Sequence, residues 1–208
     1  IFAEGAFSQA FIPVLTQYQA SKTLGQKEFL SKIFCMLLVS VMTLTIGVWS
    51  FPKQILTVFA YGLTKDPDKL ALASTLLCYT FPYLGLVTIS GFFAAALQTK
   101  RQFVHAALAP IALNVVLITT AYYAHIWALQ PIVVLSMGVP VAGCIQAWML
   151  WRAYTKHYPN IYLTWDLGDP GIWRVLSLML AAVYGVSISQ IGLIIDNVIL
   201  STLAEGSV

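Results

Sequence analysis

The sequence predicts an all-α protein, a polytopic transmembrane helical bundle with about six spans. The first observation is composition: 59% of the 208 residues are hydrophobic and only 9% are charged, whereas soluble domains carry about 25% charged residues. The second is that apolar residues form long continuous runs, as helices of about 20 residues require to cross a bilayer. Membrane β-strands would instead alternate apolar and polar residues over about ten positions.

Six runs with few or no charged side chains define the predicted spans. They cover residues 1–20, 30–52, 70–99, 102–125, 131–152 and 172–203. The fourth and fifth spans are separated near residues 125–131, where polar residues and a proline permit a turn. The first run lacks the basic start of a signal peptide, and we interpret it as the second half of a span. Residues 153–171 are predicted as a cytoplasmic interfacial connection in which Tyr158, Tyr162 and Trp165 suit the interface.

The distribution of basic residues predicts the orientation of the bundle. Because successive loops alternate sides, one side receives Lys22, Lys27, Lys32, Lys100, Arg101, Arg152, Lys156 and Arg174. The other side receives only Lys53, Lys65 and Lys69. The positive-inside rule therefore places the first, more basic side in the cytoplasm.

Glu4 is a carboxylate within the first, otherwise uncharged run, which begins IFAEGAFSQAFIPVL. A charge at mid-membrane costs at least about 2.5 kcal/mol, so such a residue normally faces a water-filled cavity or a partner. Helical spacing places Glu4, Ser8, Phe11 and Leu15 along one stripe. Two interpretations stay open, a cavity-lining carboxylate and an interfacial glutamate that reaches headgroups or water.

Asp196 lies beside a polar face of the last predicted span. That face contains, at helical spacing, Ser187, Gln190, Ile194, Asn197 and Ser201. A carboxylate beside a polar stripe suits a cavity lining or a cation site, because hard cations take oxygen ligands. The alternative is a buried hydrogen-bonding seam between helices.

The remaining polar residues do not indicate an enzyme. Asn114, four residues after Pro110, either satisfies backbone groups freed by that proline or contacts a substrate. The histidines and cysteines are far apart and lack metal-ligand spacing, so no metal site is predicted: His105, His125, His157, Cys35, Cys78 and Cys144. We find no nucleophile–base arrangement, no phosphate-binding glycine loop and no basic aromatic cluster of the kind that binds nucleic acid.

Several segments resemble one known family in chain order. FAEGAFSQAFIPVL at residues 2–15 and the closing EGSV at 205–208 are the most specific. Between them lie FPYLGLVTISGFFAAALQTKRQF at 81–103, ALAPIALN at 107–114 and DPGIWRVLSLMLAAVYGVSISQI at 169–191. Together they resemble the MurJ (MviN) family of lipid II flippases over essentially the whole chain.

The resemblance implies a function in cell-wall biogenesis. Residues 1–208 would be a transmembrane N-terminal-lobe fragment, about spans two to seven of a two-lobed, fourteen-span transporter of the bacterial inner membrane. Such proteins flip lipid II, the undecaprenyl-pyrophosphate-linked peptidoglycan precursor, from the inner to the outer leaflet by alternating access. Lipid II and membrane lipids are the implied partners, and peptidoglycan synthesis and cell shape depend on this step.

The resemblance also suggests roles for the polar residues. Glu4, Ser8, Asn114, Gln190 and Asn197 would line the substrate cavity. Asp196 would be a candidate cation site that couples transport to sodium or protons, with no other cofactor. The arginines that meet the pyrophosphate are expected outside these 208 residues.

Two alternative functions are considered. One is a related lipid-linked oligosaccharide flippase or a cation-coupled drug antiporter of the same superfold. The other is a non-transport membrane scaffold for cell-wall synthesis. Arginines flanking the sequence would favour the lipid II flippase, whereas membrane-buried charges that growth does not require would favour the scaffold.

Overall fold

A computed structural model of the chain describes residues 2–20, 25–59, 66–127, 131–158, 160–164, 166 and 168–202. Side-chain surroundings are described for these residues except 2–4, 125, 127, 186 and 188–202. The described residues form eight α-helices: α1 Phe2–Ala20, α2 Gln26–Ser50, α3 Pro52–Phe59, α4 Pro67–Thr80, α5 Pro82–Thr99, α6 Phe103–Trp127, α7 Pro131–Tyr154 and α8 Pro170–Thr202. The predicted all-α fold class is confirmed.

Within the described residues, four helical stretches are long and apolar enough to cross a membrane. They are Gln26–Ser50, Pro67–Thr99, Phe103–Ala124 and Pro131–Tyr154, and a shorter apolar helix covers Pro170–Gly185. The stretch Pro67–Thr99 combines α4 and α5. The chain is therefore a helical membrane protein.

Prolines mark where many of these helices begin. Five helices start with proline, which has no N–H and therefore fits the first turn: Pro52, Pro67, Pro82, Pro131 and Pro170. At α4 the preceding Asp66 caps the helix, because its carboxylate accepts a hydrogen bond from the Lys69 N–H at 3.2 Å. Pro82 separates α4 from α5, since a proline inside an apolar helix removes a backbone hydrogen bond.

A tight turn joins α5 to α6. The Gln102 N–H donates to the Leu97 carbonyl at 3.0 Å, and the Arg101 N–H donates to the Gln98 carbonyl at 2.9 Å. This pattern closes a helix with one residue in the left-handed region, usually glycine. Here that residue is Arg101, with φ of 58°. The turn brings the start of α6 back beside the end of α5.

Helix α5 is the centre of the bundle. It packs against α1, α2, α6 and α7, while α6 packs mainly on α7 and α1 packs on α8. Close approach between α5 and α7 depends on Gly143, where a Cβ atom would lie 2.8 Å from the Tyr83 ring and 3.0 Å from Leu86. Small residues at helix interfaces permit such contact in membranes.

The buried core lies at one end of the bundle, where α1, α5 and α7 end and α2, α6 and α8 begin. We call this the basic end, because the loops there carry most of the lysines and arginines. Its aromatic rings form a connected cluster: Phe7, Phe11, Phe29, Phe92, Phe93, Tyr154 and Tyr158. Aromatic pairs of this kind stabilise beyond the area that they bury.

Tyr158 lies in the connection that the sequence predicts to be interfacial, and that location stays a prediction. Its side chain is buried in the protein and stacks on Tyr154 with ring centroids 5.0 Å apart. Tyr162 is partly exposed, as expected, and Trp165 lies outside the described residues. A tyrosine can be buried where its hydroxyl finds hydrogen-bond partners, and Tyr158 has several.

The opposite end of the bundle exposes large apolar side chains. Examples from three helices are Ile46, Phe59 and Ile118. In a membrane protein such surfaces face lipid tails, so their exposure is expected.

Candidate substrate cavity

A cavity of about 380 Å³ lies between α1 on one side and α6 and α7 on the other, with α5 completing its wall. It occupies the half of the bundle nearer the basic end. Its lining comes from four helices: Gly5, Ser8, Ser90, Gly91, Ala94, Gln98, Ala106, Ala109, Pro110, Gln146 and Leu150.

Small side chains create this space. Glycines and alanines supply five of the eleven described lining positions. A Cβ atom on Gly5 would meet nothing within 4 Å, so α1 faces open space at this point. The cavity thus follows from local composition, because the larger apolar side chains that are common in membrane helices would fill it.

Four polar side chains among the described residues line the cavity, and two of them are deeply buried. Ser90 is 1% exposed, and its hydroxyl donates to the Leu86 carbonyl at 2.8 Å, which leaves the oxygen lone pairs free to accept. Gln146 is 7% exposed, and its Oε1 has no hydrogen-bond partner among the described residues. Buried polar atoms are normally satisfied, so this orphan oxygen calls for a partner.

Among the residues whose side chains are described, none that lines the cavity is charged. A neutral polar surface can hydrogen-bond a hydrated or hydroxyl-rich group. It does not supply the cationic donors that bind phosphates strongly in proteins. The cavity is therefore suited to polar uncharged groups that would otherwise be unsatisfied between apolar helices.

The residues predicted for the site differ in where the structure places them. Ser8 lines the cavity, whereas Asn114 is exposed on α6, one turn beyond the lining residue Pro110. Glu4 lies in α1 directly before the lining residue Gly5, but its side chain is outside the described set. The side chains of the α8 residues are also outside it: Gln190, Asp196 and Asn197.

Three polar lining residues were not predicted: Ser90, Gln98 and Gln146. One signal for Gln146 was present in the sequence, because it is a lone amide inside the apolar run 131–151. Polar residues inside a span usually face the protein interior. Ser90 had no such signal, since serine commonly hydrogen-bonds to its own helix, as Ser90 does here.

Hydrogen bonds centred on Tyr158, which we call the Tyr158 node, join three segments of the chain at the basic end of the bundle. The Tyr158 hydroxyl donates to the Ala96 carbonyl at 2.9 Å and accepts from the Gln19 side-chain amide at 2.8 Å. Gln19 also donates to the Thr99 hydroxyl at 3.0 Å. Burial raises the pKa of Tyr158, so its phenol stays protonated at neutral pH. The node fixes the ends of α1 and α5 to the connection before α8.

A charged cluster fastens the same connection to α2. The Lys32 ammonium lies 2.7 Å from Asp166, 2.9 Å from Glu28 and 3.6 Å from Asp169. We call these four residues the Lys32 cluster. Asp169 also accepts hydrogen bonds from the Tyr18 hydroxyl at 2.6 Å and the Gly171 N–H at 2.9 Å. The hydrogen bond from Lys32 holds the pKa of Asp166 below its usual range.

The apolar helices and the polar cavity between them define the class of the protein. It is a helical membrane protein that can enclose a polar group between its helices. A family model described as "Lipid II flippase MurJ" matches residues 1–208, and the chain belongs to this family. The resemblance read from the sequence motifs is thus confirmed.

Individual relatives are similar in sequence to this chain along its whole length. A probable lipid II flippase MurJ of Haemophilus influenzae is 36% identical over 220 residues, which cover 100% of this chain and 42% of the relative. A protein with the same description from Vibrio cholerae is 36% identical over 218 residues, 100% of this chain and 41% of the relative. The lipid II flippase MurJ of Burkholderia cenocepacia is 31% identical over 216 residues, 99% of this chain and 41% of the relative. The chain therefore spans about two-fifths of the length of these relatives.

Proposed function

We propose that the chain is part of a flippase that moves lipid II from the inner to the outer leaflet of the bacterial inner membrane by alternating access. The observation that carries the proposal is a buried polar cavity in a chain whose relatives are named lipid II flippases. The motion requires no covalent step, so the protein is proposed to be a transporter and not an enzyme.

Physical chemistry supports a cavity of this kind. A diphosphate-sugar headgroup cannot cross about 30 Å of hydrocarbon unaided, because its charges and hydroxyls would lose their hydration. The lipid tail, in contrast, can remain in the bilayer throughout. A flippase must therefore shelter the headgroup alone, and a cavity between helices near one membrane surface can do so.

Glu4 provides the test of the proposed function in the full-length protein. When the native protein is depleted, lipid II should accumulate in the inner leaflet, as measured by its accessibility to an external probe in intact cells. We expect Glu4→Ala and Glu4→Gln to restore outer-leaflet lipid II poorly, because both remove the charge that we propose faces the cavity.

Asp68→Asn is the matched control, since it removes an exposed carboxylate from the first turn of α4, far from the cavity. It should restore export fully. Normal lipid II export after depletion of the native protein would contradict the proposed function. Full export with Glu4→Ala would show that Glu4 is an interfacial residue. Coupling to sodium or protons at Asp196 stays a separate prediction.

We further propose a multi-pass topology with the basic end in the cytoplasm. In a full-length background without native cysteines, Lys156→Cys should resist a membrane-impermeant thiol reagent in intact cells. Lys53→Cys should react readily under the same conditions. Both side chains are exposed, so sidedness alone should separate them, and permeabilised cells should label both. Labelling of Lys156→Cys in intact cells would reverse the assigned orientation.

A further inference from the structure

Two buried oxygens of the cavity, on Gln146 and Ser90, can accept hydrogen bonds. Gln146 Oε1 has no partner among the described residues, and the Ser90 hydroxyl has already donated its hydrogen to α5. We infer that the cavity binds an uncharged, hydrogen-bond-donating part of the transported headgroup, a sugar hydroxyl or an amide N–H, and not its diphosphate. This inference rests on the proposed function and assigns one part of the substrate to one cavity.

The diphosphate does not fit the chemistry of this lining. Phosphate oxygens accept hydrogen bonds and are bound in proteins by arginine, lysine or backbone N–H groups. Here they would face the Gln146 and Ser90 oxygens, and no cation lies among the described lining residues. The nearby Lys100 is directed elsewhere, with its ammonium 5.5 Å from the centre of the Tyr158 ring. Sugar hydroxyls and amides, in contrast, can donate to both acceptors and carry no charge that must be neutralised.

The size of the cavity agrees with this assignment. Its volume of about 380 Å³ lies near the lower limit of small-molecule pockets, about 300–1,000 Å³. At about 30 Å³ per water molecule in the liquid, it corresponds to roughly a dozen waters. That space suits one sugar ring with its substituents. It does not suit a disaccharide with its peptide and diphosphate.

The acceptors are also held in place before any ligand binds. Ser90 lies on α5 and Gln146 lies on α7, and these helices pack closely around Gly143, three residues before Gln146. The Ser90 hydroxyl is further fixed by its bond to Leu86. Preorganised polar groups discriminate between ligands strongly, because a ligand without the matching donor leaves them unsatisfied.

The assignment is tested by comparing two lipids on the purified full-length protein. The probes are lipid II and undecaprenyl pyrophosphate, which has the same tail and diphosphate but no sugar or peptide. We expect Gln146→Leu, which keeps the size and removes the amide, to weaken lipid II binding about fivefold to tenfold, the loss of about one hydrogen bond. Binding of undecaprenyl pyrophosphate should stay unchanged. Ser90→Ala is a milder second variant and should weaken lipid II binding in the same selective way.

Ser136→Ala is the matched control, because Ser136 is buried on α7 and bonds to its own helix as Ser90 does, but does not line the cavity. It should bind both lipids as the native protein does. The inference would be overturned if Gln146→Leu weakened the binding of both lipids equally. It would also be overturned if neither Gln146→Leu nor Ser90→Ala weakened the binding of either lipid. The proposed function would stay intact in both cases. A native protein that fails to bind lipid II would instead contradict the proposed function and the inference with it.

Discussion

Replacing Gly143 with leucine should destabilise the full-length protein by about 3 kcal/mol, the upper part of the range for inserting bulk into a packed core. The reason is geometric: even the Cβ atom would lie 2.8 Å from the Tyr83 ring and 3.0 Å from the Leu86 Cβ. Neither neighbour can easily withdraw, because both lie on α5 at its interface with α7. The two helices would have to separate.

The measurement is the melting temperature of the detergent-solubilised protein, together with rescue of cells depleted of the native protein. Gly47→Leu is the matched control, since Gly47 lies in the last turn of the apolar helix α2 and a Cβ there would meet nothing within 4 Å. Leucine favours helix over glycine, so Gly47→Leu should leave the melting temperature unchanged or raise it. Equal melting temperatures for both variants would mean that α5 and α7 do not pack through Gly143.

The hydrophobic composition of the sequence was enough to predict the helical membrane fold class. A chain that cannot coat itself with charge must place its apolar runs in lipid, and there the backbone is satisfied as helix. The helix start at Pro131, directly after the predicted turn, follows from the missing N–H of proline. These features depend on local sequence alone, which explains why they could be predicted.

Which side of each helix faces the protein interior, in contrast, could not be predicted from the sequence. Helices such as α6 and α7 are apolar all round, so no amphipathic stripe shows which side turns inward. For this reason Gln146, which lines the cavity, was not predicted, while the role of Asn114, exposed on α6, stays a prediction. Burial of Tyr158 was missed for a related reason, because its partners Gln19 and Ala96 are distant in sequence.

The burial and the ion pairs of Lys32 could not be predicted from the sequence either. The sequence assigned it to the cytoplasmic side as one lysine among several, whereas the structure buries it within α2 at 6% exposure. Its partners Asp166 and Asp169 come after five further helices, so no local spacing could reveal the pairs. Only Glu28, one helical turn earlier, had the i, i+4 spacing of a helical ion pair.

Replacing Lys32 with methionine should therefore have the second large effect. Methionine fills much of the same space but leaves the three carboxylates of the Lys32 cluster facing one another without a cation. Asp169 is only 12% exposed and cannot regain full hydration. We expect a loss of about 2 kcal/mol, less than the 3–5 kcal/mol of a fully buried pair, because Glu28 and Asp166 are half exposed. Amide hydrogen exchange should accelerate in residues 160–169, which the cluster fastens to α2.

Lys69→Met is the matched control, since Lys69 pairs with Asp66 at a similar 3.0 Å but is 71% exposed. Exposed pairs contribute little, so its melting temperature should stay near that of the native protein. The hydrogen exchange of residues 160–169 should also be unchanged. A loss in Lys69→Met equal to that in Lys32→Met would attribute the effect to net charge and not to the cluster.

The dependence on pH separates an electrostatic role of Lys32 from simple packing. In the native protein Lys32 lowers the pKa of Asp166, so this stabilisation is fully present above the unfolded pKa of about 3.9 and is lost as pH falls through the lower folded value. In Lys32→Met the same carboxylates repel one another, and protonation relieves that repulsion. Between pH 7 and pH 4 the melting temperature of the variant should therefore approach that of the native protein. A difference that stays constant across this range would show that Lys32 acts through its aliphatic chain, because packing does not titrate.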